Sequence, residues 1–446
     1  GRMVGAVVRG MWVSTFHSAC VRILRREAHR LGYRSAFSIY DDLDARRLVE
    51  YCVRDLDLDP KRFPPKQIRA AISKAKNELV DYESFAAAGS GPYHERVSEV
   101  YRLYQQRLVE ASAMDFDDLL MVTVELLGAF PDVLEEYQRR FRYILVDEYQ
   151  DTNHAQYRLV QMLGAAHRNV CVVGDSDQSI YAFRGADIRN ILEFERDYPD
   201  ARIVVLDRNY RSTQTILDAA NAVIGNNPGR SPKHLWTDLG TGVPITLYKA
   251  QDEHDEAAFV AEQLAALEED GLSLSDAAVF YRTHAQSRVI EEIFVRYGVP
   301  YQVLGGPKFY DRREVKDVLA YLRAMVNPDD TVAFKRIVNV PKRGVGATSV
   351  GHVDRMAEAE GVPFSEALAL TGDNTRITAR ARSSIAEFLV LLDQLRVRAG
   401  EGPRAALQAV IESTGYQSEL ESEGSLESLS RVENLKELLT VAEEFE

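Results

Sequence analysis

With 446 residues, 46% of them hydrophobic and 27% charged, the chain has the composition of an ordinary globular protein and the length of about three domains. No run is long and apolar enough to span a membrane, the N-terminus has no signal-peptide core, and three scattered cysteines without a CxxC pair argue against a disulfide framework or zinc site, so a reducing cytoplasm is expected. The net charge of −14 excludes a uniformly basic nucleic-acid binder, but phosphate responds to local charge: Arg2, Arg9, Arg22, Arg25, Arg26, Arg30 and Arg34 meet only Glu27 in residues 1–34, whereas residues 401–446 are glutamate-rich.

In chain order, residues 11–18 read as a strand entering a turn, and 19–31 as an amphipathic helix with arginines on one side. No strand-turn-helix unit with GxxxxGK[ST] precedes them. Residues 33–111 read as a charged helical insertion with its own small core and no core strand, broken at Asp59-Pro60 and Phe63-Pro64-Pro65. Its Lys66, Arg69, Lys74 and Lys76 are either solvated or turned to phosphates. Residues 114–120 open a helix whose first-turn acids suit its dipole.

The apolar run 143–146 lacks polar alternation, as a strand buried on both faces of a parallel sheet does. It ends at Asp147 and Glu148, where ligands of such sheets sit. One carboxylate there can hold Mg²⁺ while the other activates a water for attack on phosphorus; otherwise Asp147 only ends a strand, and Asp151, Thr152 or Asn153 caps the next helix. Residues 169–173 read as a second strand, after which Gly174 permits a sharp turn and Gln178 offers an amide to a γ-phosphate. Tyr181, Phe183 and Arg184 interleave aromatic faces with a cation, suited to stacking on bases or to a core. A third strand at 202–206 leads to Tyr210, able to stack on a purine, and Arg211, a forked donor for a transferring phosphate.

Four of these segments, in order, are Thr15-Phe16-His17-Ser18, Val146-Asp147-Glu148-Tyr149-Gln150-Asp151-Thr152-Asn153, Gly174-Asp175-Ser176-Asp177-Gln178-Ser179-Ile180-Tyr181 and Asn209-Tyr210-Arg211-Ser212. They resemble motifs Ib, II, III and IV of the UvrD/PcrA/Rep-type superfamily-one DNA helicases. The resemblance implies that Asp147 ligates Mg²⁺, Glu148 is the general base, Gln178 couples the γ-phosphate to DNA, Tyr210 stacks near adenine and Arg211 contacts the γ-phosphate. It places Thr15, Phe16, His17, Tyr181, Phe183 and Arg184 along a single-strand channel, with Phe183 where the family usually has Trp.

Further on, 244–248, 276–281 and 300–304 read as strands separated by helices at 254–269 and 285–297. Tyr281-Arg282-Thr283-His284 resembles the DNA-contacting motif IVa, with His284 where Asn is more usual. Pro341-Lys342-Arg343-Gly344-Val345-Gly346 resembles the duplex-binding turn of the mobile 2B domain, its glycines letting amides approach phosphate; a structural helix connection is the alternative.

The implied fold is α/β: two RecA-like parallel-sheet lobes of the P-loop NTPase type, each with a helical insertion. The first lobe takes 1–32 and 112–205 with insertion 33–111, the second 206–309 with insertion 310–446, and ATP would be hydrolysed between lobes. The implied activity is Mg²⁺- and ATP-dependent 3′ to 5′ translocation on single-stranded DNA, with unwinding at single/double-strand junctions in repair or replication and repair proteins as possible partners. The alternatives are the motor of a helicase-nuclease and a non-catalytic DNA-binding remnant. Motifs V and VI are also not found, so residues 1–446 alone are expected to bind DNA weakly without hydrolysing ATP.

Overall fold

A computed structural model describes residues 5, 10–182, 185–227, 233–283, 286–304, 310, 312–423 and 426–443. Phe183, Arg184, His284 and residues 305–309 lie outside the described set. The chain forms two compact units, one made of Gly1–Ala201 with Arg313–Glu446 and the other of Arg202–Arg312.

In the first unit, residues 11–15 are not a strand as expected but the lead-in to helix α1 (Phe16–Glu27). Thr15 begins it, its hydroxyl accepting the Ser18 amide at 3.3 Å, an N-cap that satisfies one of the first-turn donors. Cys20, Ile23 and Leu24 form the buried stripe of α1 and pack with the core of α6 (Phe116–Ala129).

Between these helices, strand β1 (Ser38–Tyr40) pairs in parallel with β2 (Ala113–Asp115), Ile39 opposite Met114. The expectation of no core strand in 33–111 is corrected here. Three residues are too few to show a periodicity, and both strands are recognisable only as a pair. The crossover between them is helical: α2 (Asp42–Asp55), α3 (Pro65–Asn77), α4 (Tyr82–Ala88) and α5 (Pro92–Glu110) enclose a core that includes Val49, Ile68, Ile72, Tyr101 and Tyr104.

Lys76, at the end of α3, is neither solvated nor turned to a ligand. Fully buried, its ammonium donates to Asp115 at 3.0 Å and Asp118 at 2.8 Å, and Tyr104 also donates to Asp115 at 2.7 Å. Asp115 and Asp118 are at the same time the capping box of α6. Burial alone would lower the Lys76 pKa, but the two carboxylates more than reverse this and hold it above its ordinary value. One buried lysine thereby fixes the end of α3 against the start of α6.

After α7 (Pro131–Arg140), strand β3 (Ile144–Val146) pairs in parallel with β4 (Val170–Val172), and α8 (His154–Gly164) makes the crossover. The strand expectations at 143–146 and 169–173 hold in their centres but not in their burial. Val146 is buried, whereas Tyr143 is 75% and Leu145 73% exposed. Burial on both faces requires layers on both sides of a sheet, and this sheet has two strands among the described residues.

The short helices α9 (Arg189–Leu192) and α10 (Phe194–Asp197) complete this part. The described residues of 313–443 add a helical array to the same unit. Beyond the second unit's α11 (Gln214–Ile224), α12 (Glu253–Glu269) and α13 (Ser287–Tyr297), the array starts with α14 (Arg313–Val326), α15 (Thr331–Ile337) and α16 (Ala347–Glu360). Polar clasps join it to 33–111: Tyr40 donates to Asp330 at 2.8 Å, Arg323 to Asp44 at 2.7 Å, and Asn327 to the Ala111 carbonyl at 2.8 Å.

In the second unit, α12 and α13 share a small core of Ala257, Ala261, Ile293 and Phe294. The strands expected at 202–206, 244–248, 276–281 and 300–304 are not formed: the described residues there are without ladder pairing, and Leu206, Leu247 and Phe280 are 78%, 94% and 93% exposed. An apolar run specifies a strand only when another backbone accepts its ladder, and among the described residues of this unit only the isolated bridge of Arg208 to Trp236 forms. Among the described residues the molecule is mostly helical, with two small parallel sheets.

Candidate active site at the ends of strands β3 and β4

The Val146 carbonyl at the end of β3 accepts the Val173 amide at 2.8 Å, and the Tyr149 amide returns to the Val173 carbonyl at 3.0 Å. Asp147 and Glu148 lie between these two bonds, exposed at the carboxyl end of the sheet. Glu148 has φ 51° and ψ 43°, a left-handed conformation uncommon for a residue with a side chain. Such a conformation persists where its surroundings over-determine it.

Here the Glu148 amide is held by Asp147 and its carbonyl by the Asp151 amide, while Gln150 holds the side chain. Buried to 1% exposure, it donates to the Glu148 carboxylate at 2.8 Å while its own carbonyl accepts the Asp175 amide at 3.0 Å. Asp175 in turn accepts from the Gln178 side chain at 2.8 Å. Gly174 makes this closeness possible, because a Cβ there would lie 2.5 Å from the Gln150 oxygen and 2.8 Å from Ile191. Glu148 and Gln178, from separate strand ends, are thus joined through one buried amide and one aspartate.

Beyond the carboxylates, Asn153 caps α8, accepting the Gln156 amide at 2.9 Å, so the helix-capping alternative read from the sequence is also realised. It coexists with the exposed carboxylates. Thr152 accepts the Asp187 amide at 2.9 Å and the Asn190 side chain at 3.0 Å through its carbonyl. Burial, aided by the charge of Glu148, raises the Asp151 pKa.

Asp147 presents a solvent-facing carboxylate whose Oδ1 accepts the Glu148 amide at 3.0 Å. Among the described residues no cluster of three metal-ligating side chains exists. A single carboxylate is nevertheless what a nucleotide-borne Mg²⁺ asks of a protein, since phosphates and waters fill its other positions. The donor set fits.

The other predicted residues fall in three places. Next to the carboxylate loop, Thr15 caps α1, Phe16 packs against the cores beneath both α1 and β3, and half-buried His17 meets the Phe116 ring edge-on at 6.1 Å. Burial lowers the His17 pKa, partly opposed by Asp117. Tyr181 is 37% exposed on the loop after Gln178.

In the second unit, Asn209 accepts the Arg211 and Ser212 amides, both at 2.8 Å, in a turn that leaves Tyr210 75% exposed and Arg211 open. Arg282 is exposed at the head of α13, its amide held by Gln286 at 2.9 Å.

The third place is the turn before α16. Gly344 has φ 80° and Gly346 starts the helix without a side-chain cap. Lys342 is exposed there, whereas Arg343 is committed to the fold, donating to the Val340 carbonyl at 2.9 Å and the Tyr321 hydroxyl at 2.7 Å. A Cβ on Gly344 would stand 3.6 Å from the Arg380 guanidinium, which places a second cation at the turn. Sequence reading missed Arg380, which is far along the chain, and the bridging role of Gln150, whose partners are set by the fold.

Comparison with other proteins identifies the family. Residues 2–199 match the UvrD/REP helicase N-terminal domain and residues 204–446 the UvrD-like helicase C-terminal domain. The chain is 51% identical to the ATP-dependent DNA helicase UvrD1 of Mycobacterium tuberculosis, with 99% of this chain and 59% of that protein covered. It is 47% identical to the ATP-dependent DNA helicase PcrA of Bacillus subtilis, with 100% and 60% covered, and 45% identical to PcrA of Leuconostoc citreum, with 99% and 59% covered. The chain thus spans about three-fifths of the length of these relatives. Matched over both halves by its domain models, the chain belongs to the UvrD/REP helicase family.

Proposed function

We propose that the protein containing this chain is an ATP-dependent DNA helicase that moves 3′ to 5′ on single-stranded DNA and opens duplexes in repair or replication. The observation carrying this reading is the left-handed Glu148, exposed at a parallel strand end and gripped by a buried amide that also grips the Gln178 loop. A general base must be open to water yet fixed in direction, and this arrangement gives Glu148 both properties.

In this reading Glu148 takes the proton of a water as its oxygen bonds to the γ-phosphorus and ADP departs. Asp147 holds Mg²⁺, which when bound neutralises charge on the phosphates. Gln178 reports the γ-phosphate to the Tyr181 loop, Tyr210 stacks on adenine and Arg211 contacts the γ-phosphate. Thr15, Phe16, His17, Tyr181, Phe183, Arg184, Arg282 and His284 are assigned to single-stranded DNA, chiefly by aromatic and cationic contact. Lys342, Gly344 and Gly346 are assigned to duplex phosphates at a junction. The internal bonds of Arg343 give it the role of shaping that turn. Two RecA-like lobes of the P-loop NTPase type, with insertions at 33–111 and 310–446, are the proposed whole-protein architecture.

Polarity is tested by unwinding a duplex with a 3′ single-stranded tail beside one with a 5′ tail, using full-length protein with ATP and Mg²⁺. Preferential opening of the 3′-tailed substrate is expected. Equal opening, or preference for the 5′ tail, would overturn the direction.

A further inference from the structure

Asn77 ends α3, one residue after the buried Lys76, and joins two segments remote from it in sequence. Its carbonyl oxygen accepts the side-chain amide of Asn153, the residue that closes the carboxylate loop and caps α8. Its own amide donates to Asp117 at 2.9 Å and to the Ser73 carbonyl at 2.8 Å. Asp117 is held from its other oxygen by Arg69 at 3.0 Å, and its charge acts on His17, whose ring rests on the neighbouring Phe116. Gly185, with φ 88° in the loop after Tyr181, comes so close to Asn77 that a Cβ on it would lie 3.8 Å from the asparagine.

The Asn77 amide therefore stands where the helical insertion, the start of α6 with its His17 neighbour, the carboxylate loop and the Tyr181 loop converge. Its placement is not loose. Lys76 is locked between Asp115 and Asp118 in a dry site, and a buried ion pair with good geometry tolerates little displacement. Asn153 is equally constrained, because its oxygen is occupied by the Gln156 amide and only its NH₂ is left for Asn77.

We infer that Asn77 is a positioning residue for the hydrolysis reaction: by bridging Asn153 and Asp117 it ties the carboxylate loop to the His17 face, so that single-stranded DNA on that face is felt at Glu148. This rests on the proposed motor function for its two ends. The bridge itself rests on the hydrogen bonds.

Two variants of the full-length protein separate coupling from folding. Asn77→Ala removes the bridge. Asn153→Asp keeps the helix cap but replaces the donating NH₂ with an oxygen facing the Asn77 carbonyl. For both, DNA-free ATP turnover and the KM for ATP should stay within about twofold of the parent, while stimulation by single-stranded DNA falls roughly tenfold, the size of an ordinary coupling between two sites. Amide hydrogen exchange across 147–153 gives a second readout: single-stranded DNA should slow it in the parent and leave it unchanged in both variants. Stimulation and exchange response both as in the parent, or equal loss of basal and stimulated turnover, would overturn the bridge. If the parent shows no Glu148-dependent turnover, the motor reading fails, and the exchange comparison still decides the bridge: no DNA response in the parent, or an undiminished one in the variants, refutes it.

Discussion

Gln150 shows how one uncharged side chain can set the direction of a charged one. Its amide holds Glu148 at 2.8 Å and its carbonyl holds the Asp175 amide at 3.0 Å, so the acceptor and donor ends of one group lock two loops. Replacing Gln150 with Ala should leave Glu148 exposed but undirected, lowering DNA-stimulated kcat about tenfold or more with little change in the KM for ATP, as misorientation of a base does. Steady-state kinetics decide it; a rise in KM with kcat intact would make Gln150 a binding residue. Asp147 and Glu148 were legible in the sequence because an apolar run stopping at two carboxylates has a local chemical meaning. Gln150 lies in the same motif, but its task depends on Asp175 and on the absence of a side chain at Gly174, and neither relation is visible before β3 and β4 pair.

At the level of elements, helices were readable, and of the strands β3 and β4 were readable whereas the others were not. The amphipathic stripe of α1 declares its own buried face, whereas β1, β2 and the runs at 202–206 and 244–248 depend on what lies beside them. Lys76 is the strongest case of tertiary context overruling a residue's usual place: a charge in a helical insertion reads as solvated, yet this one holds α3 to α6. Lys76→Met should cost about 3–5 kcal/mol, because it removes the ammonium bonded to both Asp115 and Asp118 and leaves two like charges in a buried site with only Arg69, 4.0 Å from Asp115, to offset them. Burial and the charge of Asp115 already hold the Asp118 pKa above its ordinary value against the opposing Lys76, so loss of that lysine raises it further above its value in the unfolded chain. A group raised in this way contributes stability that is present at low pH and lost as pH rises through its folded pKa, so the variant should recover part of the loss between pH 7.5 and 5.5. Urea unfolding at the two pH values measures this. A small, pH-independent loss would mean that the cluster is not electrostatically tight.

For the molecule as a whole, exposed charge free to meet a ligand is distinct from charge already engaged in shaping the fold. At the turn before α16, Lys342→Ala should weaken binding to a single/double-strand junction and reduce the salt slope by about one phosphate contact, with thermal stability unchanged. Arg343→Ala should instead lower the melting temperature, because Val340 and Tyr321 lose their donor. Binding isotherms over a salt series and thermal melts distinguish the two. The reversed pattern would exchange their roles. The distinction was beyond the sequence, since the two residues are adjacent and alike in charge, and only packing tells which guanidinium or ammonium is already engaged.

The proposed role of Glu148, as held by Gln150, is that of the base for DNA-stimulated ATP hydrolysis. The most direct measurement is phosphate release by full-length protein with saturating ATP, Mg²⁺ and single-stranded DNA, comparing the parent with Glu148→Gln at matched nucleotide occupancy. Turnover in the variant should fall by about two orders of magnitude or more while ATP binding persists, as loss of a general base requires. Turnover within about tenfold of the parent would contradict the account and remove Glu148 from that role.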